Sequence, residues 1–221
     1  MLTPIFVDDQ LLVLDKPAGM LTVPGRGDDK ADCLWSRAIH QWPDAQVVHR
    51  LDMATSGLVL FARGAVMQRQ LSMAFAQREV HKRYEAIVTG LLDNGEGRIE
   101  LPLAADWPTR PRQKVDAHHG KASLTSWRVL ARDVKARHTH VELTPHTGRT
   151  HQLRVHLAAM GHAIVGDALY ATPYVAAASP RLLLHATVLG IQHPQGGEAL
   201  AWQSAAPFAL GALATITMLK T

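Results

Sequence analysis

Apolar positions along the chain change their period several times, and each change marks an element. Ile5-Phe6-Val7, a break at Asp8-Asp9-Gln10 and Leu11-Leu12-Val13-Leu14 predict a short hairpin. Lys16-Pro17-Ala18-Gly19 ends it, because proline cannot continue a hydrogen-bonded ladder. Leu34, Arg37, Ala38 and Gln41 then recur at helical spacing behind Asp32, a candidate N-cap, with Pro43 beyond. The uninterrupted apolar run 58–62 predicts a buried central strand. A helix is expected over 65–78, with Val66, Leu71 and Phe75 toward the core. Strands follow at 84–88 and 98–103, joined through Asn94-Gly95-Glu96-Gly97, and the alternation at 139–144 marks a half-buried strand. Thr150 is a candidate cap for a helix to Met160, stopped by Gly161, and Leu182-Leu183-Leu184 opens a late strand.

Strands outnumber helices, so the expected class is α+β: a mixed, largely antiparallel central sheet with flanking helices. The uncharged stretch 199–219 is read as a terminal strand plus helix rather than a membrane span, since Gln203, Ser204, Pro207 and Gly211 interrupt it; a packing helix is expected within 208–221. With no repeat, low-complexity tract or linker, a single domain over 1–221 is the simplest organisation.

A chain of 221 residues with 47% hydrophobic and 19% charged residues is ordinary for a globular protein and needs no disulfide to fold. The single cysteine, Cys33, excludes a disulfide framework and a multi-cysteine zinc site. The start lacks a basic segment followed by an apolar run, so no secretory signal is expected and a cytoplasmic location is. Charge changes the picture more. Residues 107–156 hold ten Lys or Arg against three acids, a net +7, whereas the rest of the chain carries −3. Such a concentration is the footprint of a polyanion partner, with nucleic acid ahead of a membrane surface; a solvated basic face is the plain alternative.

One stretch stands apart: His49-Arg50-Leu51-Asp52-Met53-Ala54-Thr55-Ser56-Gly57, a tight polar loop leading into the buried strand. Asp52 lies between Arg50 and two hydroxyls, Thr55 and Ser56, that could donate to its carboxylate; an aspartate-led turn is the structural alternative. This run resembles the HRLD-x-x-TSG signature of the RluA family of RNA pseudouridine synthases. His81-Lys82-Arg83-Tyr84 resembles that family's K-x-Y strand, and residues 148–156, Gly-Arg-Thr-His-Gln-Leu-Arg-Val-His, its GRTHQ[IL]R-x-H segment. Gly161-His162, then Gly166-Asp167 and Tyr170, and finally Leu182-Leu183-Leu184-His185-Ala186 follow in family order.

The resemblance implies an isomerase that breaks the bond between uracil nitrogen and ribose, turns the base and rejoins it through carbon 5. It implies Asp52 as the essential carboxylate, attacking the anomeric carbon or removing the neighbouring proton. Either route needs an ionised carboxylate held by a cation, and Arg154 matches the family arginine in that role. Tyr84 matches the tyrosine that packs on the target base and is proposed to help remove the carbon-5 proton. The uracil must first leave its stack, and Arg50 matches the residue that fills the space or holds the flipped nucleotide.

A further segment, Asp106-Trp107-Pro108-Thr109-Arg110-Pro111-Arg112-Gln113-Lys114-Val115, resembles the corresponding stretch of the family's dual-specificity member, which acts on 23S ribosomal RNA and tRNA. Its prolines stiffen a loop from which Arg110, Arg112 and Lys114 are expected to contact phosphates, joined by Arg149 and His151. Structured RNA is therefore the expected partner of a monomer, with no DNA, no membrane and no cofactor. Only about a dozen residues precede Lys16-Pro17, so no S4 domain is expected. His146, His151 and His156 recur every five residues, which suits neither helix nor strand, and no metal site is expected. Glycoside hydrolysis would need a second carboxylate that the motifs do not supply. A catalytically silent RNA-binding protein of the same fold is the remaining alternative.

Overall fold

A computed structural model of the protein describes residues 1–25, 27, 30–93 and 95–211. The chain divides into two compact units, one of residues 1–83 and 185–205, the other of residues 84–184 and 206–221.

The first unit begins with the expected hairpin, β1 (Phe6–Val7) against β2 (Leu11–Lys16). β2 pairs antiparallel with β4 (Ser56–Arg63), to which β3 (Ala45–Val47) also pairs. β4 is buried along all but its last residue, as its unbroken apolar run predicts. On its other side lies β11 (Leu184–Gln192), which pairs antiparallel with β12 (Ala199–Gln203). The β4–β11 pairing is parallel, and every other pairing set out here is antiparallel. Gly57 makes it possible: a Cβ there would lie 2.4 Å from the Ala186 carbonyl oxygen, and its φ is +113°.

Two helices complete this unit. Helix α1 (Leu34–Ile39) is capped by Cys33 rather than Asp32. The Cys33 thiol accepts the Ser36 N–H while the Ser36 hydroxyl accepts the Cys33 N–H, and Asp32 instead forms a two-point ion pair with Arg37. Helix α2 (Ala65–Gln77) buries Met67 and Leu71 against Leu58, Leu60 and Trp202. Val66, expected inside, is exposed, because the inward stripe starts one residue later.

In the second unit β5 (His81–Thr89) pairs with β10 (His138–Pro145), β10 with β9 (Leu124–Asp133) and β9 with β6 (Glu96–Glu100), all antiparallel. The expected β5–β6 hairpin is therefore wrong: β6 joins the far side of β9, a strand the sequence pattern did not disclose. Pro102 splits the expected strand 98–103, and β7 (Leu103–Ala105) forms a separate hairpin with β8 (Gln113–Val115). Helix α3 (Gln152–Ala159) starts after His151, not Thr150. His151 takes a left-handed backbone (φ 53°), and the Gln152 side-chain oxygen turns back to accept the Arg149 N–H. Gly161 ends the helix with φ +82°, as expected. A short α4 (Pro173–Ala177) follows. The helix expected within 208–221 falls largely on 212–221, outside the described residues. Among the described residues no helix is long and apolar enough to cross a membrane.

Candidate active site

The loop carrying Asp52 is held through its backbone on both sides of that residue. Before it, the Leu51 N–H and carbonyl both bond the Thr22 hydroxyl, at 3.1 and 2.8 Å. After it, the Met53 carbonyl accepts from the Gly19 N–H at 2.8 Å and from the Lys16 ammonium at 3.2 Å. Lys16 is fully buried, and it also donates to the carbonyls of Pro17 and Met20 at 3.0 and 2.7 Å. The Lys-Pro-Ala-Gly turn after β2 is thus the clamp that fixes the loop. Within the loop the Thr55 N–H donates to the Asp52 carbonyl at 3.1 Å. Asp52 is half-buried, and Arg50, two residues earlier, is exposed.

His49 anchors the start of the loop. Its Nε2 accepts the Leu60 N–H at 2.9 Å and its ring stacks on Phe75 with centroids 4.5 Å apart. A ring nitrogen accepting from an amide carries no proton, so Nδ1 holds the hydrogen. Burial, helped by the nearby Lys82 charge, pushes the His49 pKa down to about 3. His49 is therefore a neutral structural histidine at physiological pH.

The end of the loop is tied to β11 by a chain of polar groups. Ser56 Oγ lies 2.7 Å from His185 Nδ1, His185 Nε2 lies 3.1 Å from Ser204 Oγ, and the Ser204 hydroxyl donates to Asp15. The carboxylate can only accept, so Ser204 must accept from His185 Nε2–H, and in the neutral imidazole Nδ1 is then the acceptor for the Ser56 hydroxyl.

In the second unit, Arg154 sits in the first turn of α3 and is 4% exposed. Its Nε and Nη2 donate to the two oxygens of Asp167 at 2.8 and 2.7 Å, a bidentate pair. Asp167 also accepts the N–H groups of Leu169 and Tyr170, so the partner that orients the arginine is itself fixed by its own turn. Neither role was read from the sequence, where Asp167 and Tyr170 figured only as parts of a matching stretch.

Tyr170 gathers several expected site residues. Its hydroxyl accepts the Gln113 N–H at 2.8 Å and lies 2.6 Å from His151 Nδ1, while the guanidinium groups of Arg154 and Arg112 stand 5.1 and 5.6 Å from its ring centre. The hydroxyl oxygen has two lone pairs, so it can accept the Gln113 N–H and still bond the His151 ring. Arg112, His151 and Arg154 are thereby brought together around one ring.

The other expected residues are placed differently. Arg110 lies on the β7–β8 hairpin with its guanidinium 3.1 Å from the Trp107 ring centre. Lys114 pairs with Asp116 at 3.3 Å. The N–H groups of His119 and His118, with Lys114, hold Asp116 down to about 2. The Arg149 side chain donates to the Ala122 carbonyl at 3.3 Å. Tyr84 stands in β5 opposite Leu143 of β10. Among the described residues no three His, Cys, Asp or Glu side chains come together as metal ligands.

The family model for RNA pseudouridylate synthase matches residues 10–159. The chain is 48% identical to the dual-specificity RNA pseudouridine synthase RluA of Vibrio cholerae, across 86% of this chain and 77% of that protein. It is 45% identical to the protein of the same name from Escherichia coli K12, across 92% of this chain and 93% of that one. The solved structure of human RNA pseudouridylate synthase domain containing 1 superposes with a TM-score of 0.80 at 27% identity, covering 95% of this chain and 85% of the human one. By these likenesses the chain belongs to the RNA pseudouridine synthase family of isomerases.

Proposed function

We propose that the protein converts uridine to pseudouridine in structured RNA, with 23S ribosomal RNA and the tRNA anticodon stem-loop as substrates. The substrate pair rests on the dual-specificity relatives and on the Asp106-to-Val115 segment. Both units serve this one activity, in a cytoplasmic monomer acting on RNA and not on DNA. Asp52 supplies the carboxylate that attacks the anomeric carbon or takes the adjacent proton. Arg154 supports its charge, and Tyr84 meets the target base as a stacking face or as the group that takes the carbon-5 proton. Arg50 serves the flipped nucleotide, and Arg110, Arg112, Lys114, Arg149 and His151 serve the RNA around it.

One observation carries the reading most: the backbone on both sides of Asp52 is fixed by Thr22, Gly19 and Lys16. A nucleophile or base held to within a fraction of an ångström gains much of its advantage from that placement. The assay is tritium release from RNA labelled at uracil carbon 5. The parent protein releases tritium, and Asp52→Asn binds the RNA but releases none above background. An amide can neither attack as a carboxylate nor take the proton. Turnover by the purified Asn variant would remove Asp52 from the chemistry, and a silent parent protein would overturn the enzymatic reading altogether.

A further inference from the structure

The protein has five tryptophans. Trp127 and Trp202 are buried, Trp35 and Trp42 are partly covered, and Trp107 alone is exposed, at 67%. An indole left in water on a soluble surface forgoes the largest apolar burial any side chain offers, so its position calls for a reason. Trp107 begins the short 3-10 turn Trp107–Thr109 at the end of the β7–β8 hairpin, within the basic segment.

The turn that carries it is well braced. The Asp106 N–H donates to the Arg112 carbonyl at 3.0 Å, the Arg112 N–H to the Thr109 carbonyl at 3.1 Å, and the Thr109 N–H to the Asp106 carbonyl at 3.2 Å. The Thr109 hydroxyl reaches the Asp106 carboxylate, and the Gln113 N–H fastens the hairpin to Tyr170. Arg110 places its guanidinium over the indole, 3.1 Å from the ring centre. Among the described residues no other ring or cation stacks on that indole.

We propose that Trp107, backed by Arg110, is a stacking platform for one unpaired nucleobase of the RNA. The chemistry selects this ligand. A rigid aromatic face offers stacking without discrimination between bases, while the guanidinium behind it and Arg112 nearby supply positive charge for the adjoining phosphates. A paired base in a duplex cannot present its face to such a platform, so the occupant is a loop or bulge nucleotide. The platform grips a base other than the target, which is a task distinct from the work of Asp52, Tyr84 and Arg154.

This inference rests on the proposed RNA substrate, and its test separates the two. Binding is measured for the full chain, Trp107→Ala and Trp107→Phe, using a tRNA anticodon stem-loop transcript and a set in which each loop nucleotide in turn is an abasic ribose. For the parent, one abasic position weakens binding by about 5- to 150-fold, the size of a base–aromatic stack. Trp107→Ala loses a similar factor on the intact RNA and no longer responds to that abasic site. Trp107→Phe, which keeps a smaller ring, recovers part of both. The platform is refuted if Trp107→Ala binds the intact RNA within twofold of the parent, or binds weakly yet responds to every abasic site as the parent does. Tritium release by the parent reports on the enzymatic reading alone, and the binding series stands whatever that assay returns.

Discussion

Gly57 offers the sharpest test of how the fold places the Asp52 loop. Replacing it by alanine adds one methyl group at a residue whose φ is +113°, where an L side chain is strained by about 1–3 kcal/mol. The methyl would also lie 2.4 Å from the Ala186 carbonyl oxygen, 2.5 Å from its nitrogen and 2.8 Å from its Cα. All three atoms are backbone of β11, so no rotamer change relieves the contact. The strand must withdraw by about 0.6 Å merely to bring the oxygen to 3.0 Å. Overpacking of this kind costs a further ~1–3 kcal/mol, for a total of about 2–6 kcal/mol. Gly19→Ala is the internal control: its φ is +85° but nothing lies within 4 Å, so it feels the backbone strain alone. Urea unfolding of the two variants beside the parent measures the difference. The folded fraction of Gly57→Ala is also expected to lose ~100-fold in single-turnover rate, because a shift approaching 1 Å is enough to spoil alignment at a reacting centre. It would do so by parting Ser56 from His185 and disturbing the loop that ends there. Gly57→Ala no less stable than Gly19→Ala would show that the strand separation yields freely and that the steric argument is wrong.

Two further outcomes follow from the anchors described above. His49 has its pKa lowered from 6.5 to about 3 in the folded protein, so the unfolded chain takes up a proton first as pH falls; the stabilisation is complete above pH 6.5 and is lost as pH falls toward 3. Between pH 7 and pH 5 the parent should lose about 2 kcal/mol more than His49→Gln in urea unfolding, and equal pH dependence of the two would show that His49 is not held neutral. Tyr170→Phe keeps the ring beside Arg112 and Arg154 but removes the hydroxyl that holds Gln113 and His151, so trypsin should cut after Arg112 faster than in the parent. An unchanged cutting rate would mean that the hairpin does not depend on this tie.

The sequence disclosed local elements far better than their partners. β4 was legible because every one of its apolar residues is buried, and the Gly161 stop because only a left-handed residue ends α3 that way. Strand β9 was missed for a physical reason: of its ten residues only Thr125 and Trp127 are buried, so the alternation fades after three positions. Its role beside both β10 and β6 is a matter of non-local pairing, which no local period records. The α1 cap moved to Cys33 because a thiol fills the place usually taken by Asp, and the real Asp32 had a better use in Arg37. For the candidate site, motif resemblance supplied Asp52, Tyr84 and Arg154, but it could not supply the supports. Thr22 lies 29 residues before Leu51, and Asp167 lies 13 residues after Arg154.

Those supports share a character that bears on why they exist. A buried Lys16 and a buried Arg154–Asp167 pair are poor investments in stability, since removing such charges from water costs about as much as their attraction returns. What they provide is direction. Lys16 donates to the carbonyls of Pro17, Met20 and Met53 and so ties the turn after β2 to the aspartate loop, and Asp167 holds the Arg154 fork by two bonds that fix its plane as well as its position. Tyr170 extends the same logic outward, because the turn that fixes Asp167 also presents the hydroxyl that seats the basic hairpin. In the second unit, the group proposed to support the reacting carboxylate and the hairpin proposed to grip RNA are therefore set by one short turn, 167–170. A change in that turn should disturb catalysis and RNA binding together, whereas a change at the hairpin tip should disturb binding alone.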